Sequence, residues 1–226
     1  MTIVRSKWFY LDVDLDISSF VKKIANAAFC SKVGFGFELY KTTDKYFTIK
    51  YMEQYKHIER FYDPFGEEEI LESVRYRHVY IEFYELSLKY LVRVENMPKS
   101  TISLFSNLKR VLDEPLGVSE CLFNIPEFLS ELSLNSDIKQ FKIKQVIISG
   151  IYLNLKSRAK IEITSTQNAL DDFSDKFKAN SYAIDKVKCT FRKDNLDMNL
   201  ELRKTGTVAH SKALSALLTN ELIESM

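Results

Sequence analysis

From Phe9 to Asp16, apolar and polar residues alternate strictly. Phe9, Leu11, Val13 and Leu15 fall on one side and Tyr10, Asp12, Asp14 and Asp16 on the other, the period of a half-buried strand. The spacing then becomes helical. Ser18 or Ser19 can serve as N-cap, and Phe20, Ile24 and Ala27 or Ala28 form one apolar stripe. Gly34-Phe35-Gly36 turns the chain into a strand carrying Phe35, Phe37 and Leu39, and Thr43-Asp44 returns it as a strand with Phe47, Ile49 and Tyr51. Residues 53–62 fit the strand and helix periods equally well. Pro64 and Gly66 break the pattern, and a short helix is expected over Glu67 to Leu71.

Val79, Ile81 and Phe83 alternate with Tyr80, Glu82 and Tyr84, and Tyr90, Val92 and Val94 follow after Ser87, which predicts a hairpin. Ser100 is a good N-cap for a helix presenting Leu104, Phe105, Leu108, Val111 and Leu112, and Pro126 suits the first turn of a second helix with Phe128, Leu129 and Leu132. A long alternating strand then carries Phe141, Ile143, Ile147, Ile151, Leu153 and Leu155, and Gly150 within it predicts a bulge or bend. A strand with Ile161 and Ile163 follows. The next helix presents Leu170, Phe173 and Phe177, with Asp171 and Asp172 in its first turn and Lys176 and Lys178 in its last, as the helix dipole favours. Val187, Cys189 and Phe191, a turn at Asp194-Asn195, and Leu196 to Leu202 make a further hairpin. Leu214, Leu217, Leu218 and Leu222 form a closing amphipathic helix.

The pattern predicts an α+β protein of predominantly antiparallel sheet with packed helices. Both ends of the chain read as strand, helix, hairpin, so two similar units are expected, 1–98 and 139–226, joined by a helical connector over 99–138, with one continuous domain as the alternative. The wealth of aromatics, sixteen Phe and twelve Tyr in 226 residues, strengthens the β reading. A net charge of +1 points neither toward nor away from a polyanionic partner. Cys30, Cys121 and Cys189 are odd in number and far apart, which fits a reducing compartment. Arg5 and Lys7 precede no apolar run of signal-peptide length, and Val146-Ile147-Ile148 is far too short to span a bilayer. The chain is therefore expected in the cytoplasm, away from membranes.

Three patterns carry candidate chemistry. Asp12, Asp14 and Asp16, on one face of a strand, would stand about 6–7 Å apart, where Mg or Mn could relieve their repulsion and activate water for a nuclease. A solvated strand face leading into a helix gives the same pattern, and an EF-hand is excluded by Ile17 and Lys23 at its glycine and glutamate positions. The segment from Lys139 to Lys160 holds Lys139, Lys142, Lys144, Lys156, Arg158 and Lys160 with no acid, beside Tyr152. Such a face can track a phosphate backbone, although lysines also protect strand edges. Tyr76, His78, Tyr80 and Tyr84 share a strand face flanked by Arg75 and Arg77, residue types that anchor protein interfaces, unless helices cover that face as a second layer of core.

Other chemistries are disfavoured. His57, His78 and His210 lack zinc spacing, Gly34-Phe35-Gly36 lacks the third glycine of a dinucleotide loop, and no Walker A or G-x-S-x-G occurs. No cofactor is expected beyond the metal of the aspartate reading. These features predict a non-catalytic accessory or adaptor subunit of a larger intracellular complex, bound to a protein partner or to its own copies. The Lys-, Ile- and Asn-rich usage associates it with microbial defence or mobile-element systems. The alternatives are a nucleic-acid-binding accessory protein using DNA or RNA as partner, and the metal-dependent nuclease.

Overall fold

The structure is a computed structural model that describes residues 2–87, 89–98, 100–154, 156–177 and 181–224. Leu155 and Lys178 of the expected strand and helix lie outside the described residues. The protein is α+β and mostly antiparallel sheet, and its contacts divide it into two compact units, one of residues 9–119 and one of residues 1–8 with 120–226. The chain passes between them inside β1 (Ile3–Asp12) and inside β6 (Gly117–Glu120).

The 9–119 unit contains the second half of β1, α1 (Ile17–Ala25), β2 (Phe35–Thr42), β3 (Tyr46–Tyr62), β4 (Glu68–Glu85), β5 (Tyr90–Glu95) and α2 (Ile102–Leu112). Its strands lie in the order β2-β3-β4-β5-β1. Odd-numbered residues of β3 and β4 face the core, where Phe47, Ile49 and Tyr51 stand opposite Phe83, Ile81 and Val79. Phe20 from α1 packs on Phe47, Phe83 and Tyr90, and the Phe47 and Phe83 rings stack at 4.6 Å. Leu104, Leu108 and Leu112 of α2 close the same core, so both helices bury their stripes on one sheet face. Gly36 lets β2 approach α1's exit, since a Cβ there would fall 2.2 Å from the Phe29 backbone.

The second unit holds residues 1–8, α3 (Ile125–Leu134), β7 (Lys139–Tyr152), β8 (Arg158–Thr164), α4 (Ala169–Lys176), β9 (Ala183–Lys193), β10 (Leu196–Arg203), β11 (Thr207–Ser211) and α5 (Ser215–Glu224). Its strand order is β1-β11-β10-β9-β7-β8. Trp8 is fully buried, edge-on to Phe123, with its indole N–H 3.4 Å from Thr219 Oγ1. Gly150, at φ +77°, sits where the β7–β8 register shifts between Ile148 and Ile151, the bulge expected there. Asp194 and Asn195, both at positive φ, make the tight β9–β10 turn.

Three expectations are corrected, and the open reading of residues 53–62 is resolved as strand. Asp16, not Ser18 or Ser19, caps α1, its carboxylate accepting from the Ser19 N–H at 2.7 Å. Ser100 is displaced by one residue from the α2 cap, Thr101, and its hydroxyl instead accepts from the Ile102 N–H at 3.3 Å. Residues 53–62 continue β3, and 68–71 begin β4 rather than forming a helix. The reason lies in the tip. Asp63 Oδ1 accepts from the N–H groups of Phe65 and Glu67, Gly66 takes φ +90°, and the reversal sends the chain straight back along β3.

Candidate protein-interaction site

The β3–β4 ladder runs unbroken from Tyr46 opposite Tyr84 to Tyr62 opposite Glu68. Its neighbours are shorter. β2 pairs with β3 only as far as Glu53, and β5 pairs with β4 only over Tyr80–Glu85. Beyond those points β3 and β4 continue as a two-stranded arm of eight or nine residues a side with no core of its own. Two strands alone are marginal in water. Ionic links across the ladder hold the arm together: Arg77 with Glu53 at 2.5 Å, Arg75 with Glu59 at 2.6 Å, Arg60 with Glu68 at 3.2 Å and Lys56 with Glu72 at 3.8 Å. Those beyond Glu53 are solvent-exposed, worth roughly 0–1 kcal/mol each. Arg77 also lies over the Tyr55 ring, 5.5 Å from its centroid. Among these charges the arm exposes large apolar side chains. Ile58, Phe61, Ile70, Leu71 and Val74 are all exposed, Tyr62 is 72% exposed, and Phe65 at the tip 90%.

The tyrosine face of β4 lies opposite the helices. Tyr76 is 62% exposed and Tyr80 37%, and among the described residues of this unit α1 and α2 both pack on the odd-numbered side rather than covering that face. Tyr76 touches the Phe29 ring at 5.8 Å, Tyr80 meets Tyr40 at 5.8 Å, and Tyr84 stacks on Tyr46 at 5.5 Å and donates to Glu82. Arg75 and Arg77 fall on the other face of the strand, where they hold the arm's ionic links.

Asp12, Asp14 and Asp16 do not line up along a strand. β1 ends at Asp12, Asp14 lies in the bend that follows, and Asp16 is the α1 cap, held below the usual carboxylate range by its hydrogen bonds with Ser19. All three border a cleft of about 990 Å³ within the 9–119 unit, facing Glu85, Lys89 and Tyr90. The Lys89 ammonium lies 4.0 Å from the centroid of the Tyr10 ring. Among the described residues no group of three His, Cys, Asp or Glu side chains is placed to hold a metal ion.

The basic segment folds as β7, a turn and β8, and β9 brings to it an acid that the segment itself lacks. Asp185 of β9 binds Lys160 at 3.0 Å and Lys204 at 2.5 Å. Slight burial works against ionisation of Asp185, but hydrogen bonds from Lys204, Ser149 and Lys160 outweigh it and hold its carboxyl down at about 2. Glu201 takes Lys188 at 3.7 Å and Arg203 at 2.6 Å. Lys142 and Lys144 are separated by the register shift between Ile143 and Gln145, which resets the alternation, and Lys144 donates to the Thr166 carbonyl. Lys139 stands opposite Arg192, and Lys156 is exposed in the β7–β8 turn. Arg158 lies over the Tyr152 ring at 4.6 Å and bonds its hydroxyl at 2.7 Å.

Sequence patterns did not foresee a buried polar network in the second unit. Ser6 and His210 come together from opposite ends of the chain, and the buried Lys7 reaches Glu120. Single polar residues within apolar alternation, Ser6 between Val4 and Trp8 and His210 beside Val208, were the available signal.

No family model matches the chain, and no curated protein matches it. A crystal structure of DynU16, a protein in the dynemicin biosynthetic locus, is similar to it at 8% identity, over 91% of this chain and 86% of that one, with a TM-score of 0.20. A likeness of that size carries no argument.

Proposed function

We propose that this protein is a non-catalytic accessory or adaptor subunit that works by docking its β3–β4 arm on a protein partner. The carrying observation is the run of exposed apolar side chains on a two-stranded arm whose backbone edges are open beyond β2 and β5. Apolar patches of this kind mark interaction sites, and an open edge accepts an added strand. A cytoplasmic setting belongs to the same reading and is supported by the free thiols of Cys30, Cys121 and Cys189. Among the described residues no helix is long and apolar enough to cross a membrane. Membership in a microbial defence or mobile-element complex is carried by residue usage alone.

The finer architecture, two related strand-helix-hairpin units, is supported by the order β1-α1-β2-β3 near one end and β8-α4-β9-β10 near the other. The nucleic-acid reading ranks second. It is favoured by the exposed Arg158–Tyr152 pair and weakened by Asp185, which neutralises Lys160.

The test replaces Tyr62 or Ile70 with a photo-crosslinking amino acid in cells, with Tyr152 as the control position. One protein cross-linked from the arm and not from the control is the expected result. Identical patterns from all three positions, or none from the arm, end the reading.

A further inference from the structure

We infer that the partner strand on the β4 edge is β4 of a second copy of this chain, paired antiparallel about a two-fold axis at Ser73. This rests on the reading of the arm as a docking element and names what docks there.

The backbone sets which groups are available. The Gln54 N–H donates to the Gly34 carbonyl, and the Glu85 N–H donates to the Lys45 carbonyl. In an antiparallel ladder inward and outward hydrogen-bonding positions alternate, so odd-numbered residues of β4 bond to β3 and even-numbered ones turn outward. β5 occupies that outward side only from Tyr80 onward. Glu68, Ile70, Glu72, Val74, Tyr76 and His78 therefore turn their N–H and C=O groups toward the open side.

Charge order selects the occupant. The open stretch of β4, residues 68–78, starts acidic at Glu68 and Glu69 and ends basic at Arg75, Arg77 and His78. Antiparallel pairing of identical strands lays each acidic end against a basic one. With Ser73 opposite its own copy, Glu69 faces Arg77 of the second copy and Glu68 faces its His78. On the even face Ile70 meets Tyr76, with Val74 beside them, and all three are exposed in the single chain. The β3 edge lacks this match. A copy paired there about Ile58 would set Lys56 against Arg60. The β4 contact uses the same patch on both copies, so it closes at two and leaves no further β4 edge open.

The test uses the full chain carrying Cys30→Ser. At this register the two Ser73 Cα atoms form a non-hydrogen-bonded pair about 4.5 Å apart, within disulfide reach. Ser73→Cys is expected to oxidise to a covalent dimer at least tenfold faster than Ile58→Cys. Sedimentation equilibrium of the otherwise unmodified chain is expected to give twice the monomer mass. Val74→Pro, which deletes an outward N–H and spares the β3 ladder, and Glu69→Arg, an exposed reversal, are each expected to return it to monomer. A chain that stays monomeric at all concentrations, equal cross-linking at positions 73 and 58, or assembly that grows without closing would each overturn the inference. A monomeric chain whose arm still cross-links one other protein in cells overturns this inference alone, whereas an arm that cross-links nothing overturns the docking reading as well.

Discussion

Ser6 Oγ lies 3.0 Å from His210 Nε2 across 204 positions of sequence, and both side chains are buried. The other ring nitrogen, Nδ1, faces the Ser211 carbonyl at 2.9 Å, which makes Nδ1 the donor and Nε2 the acceptor of the Ser6 hydroxyl. A serine, a histidine and an orienting acceptor are the parts of an activated nucleophile. At 1% and 0% exposure they leave a substrate no approach, and the pair instead joins β1 to β11 inside the core. Ser6→Ala withdraws a partner from a buried ring nitrogen and is expected to cost about 1–3 kcal/mol. Urea unfolding of the two proteins checks this, and an unchanged midpoint would remove the pair from the account.

Buried Arg93 and half-buried Glu82, opposite one another on β5 and β4, form a second pair, with contacts of 2.6 and 2.8 Å. Burial pushes the Glu82 carboxyl up, and the hydrogen bonds and charge of Arg93 more than offset it, so the group ends below its ordinary 4.5. A carboxyl lowered on folding contributes stability that is fully present above 4.5 and is lost as pH falls through the folded value. Glu82→Gln is expected to flatten that part of the stability profile between pH 6 and 3, measured by urea midpoints. Arg93→Ala, which leaves the half-buried Glu82 carboxylate without its main partner, is expected to cost about 1–3 kcal/mol at pH 7.

The three thiols are expected to separate by reactivity. Cys30 is exposed, Cys121 is buried, and burial pushes the Cys189 thiol up to about 12. Thiolate is the reactive form. At pH 8 a chromogenic disulfide reagent is expected to titrate one thiol per native chain quickly and the other two only after denaturant is added. Fast reaction of all three would contradict the burial of Cys121 and Cys189.

Asp185 governs how much positive charge β7 and β8 present. Asp185→Asn releases Lys160 and Lys204 from their shared carboxylate. Retention on heparin is expected to shift to higher salt in this variant and to fall in Lys160→Glu. Equal elution of all forms would show that this face does not read polyanions at all.

Most helices and hairpins were legible because their periods are clean. Phe47-Ile49-Tyr51 and Val79-Ile81-Phe83 alternate, and Phe20 and Ile24 repeat at helical spacing on a stripe that is buried. The arm was not legible, because a ribbon without a core has no reason to alternate. Apart from His57 with Ser73, each cross-strand pair from Lys56 with Val74 to Phe61 with Glu69 sets one apolar residue against one polar one. β11 was missed because it is five residues long and buries His210 and Ser211 among its polar positions. The aspartate alignment failed at a boundary, since strand periodicity does not extend past the residue where a helix cap takes over, here Asp16. The acid that meets Lys160, Asp185, comes from β9, a tertiary placement that a segment-by-segment reading cannot contain.

The pairing of Ile3 with Ser211 and Lys7 with Thr207 has a consequence for biosynthesis. The ladder neighbour of β1 is made about 200 residues after it, which at 5–20 residues per second is a wait of roughly 10–40 s. Over that interval the nascent 9–119 portion can complete its own ladder, while Val4 and Trp8 wait for the strand and helix that bury them.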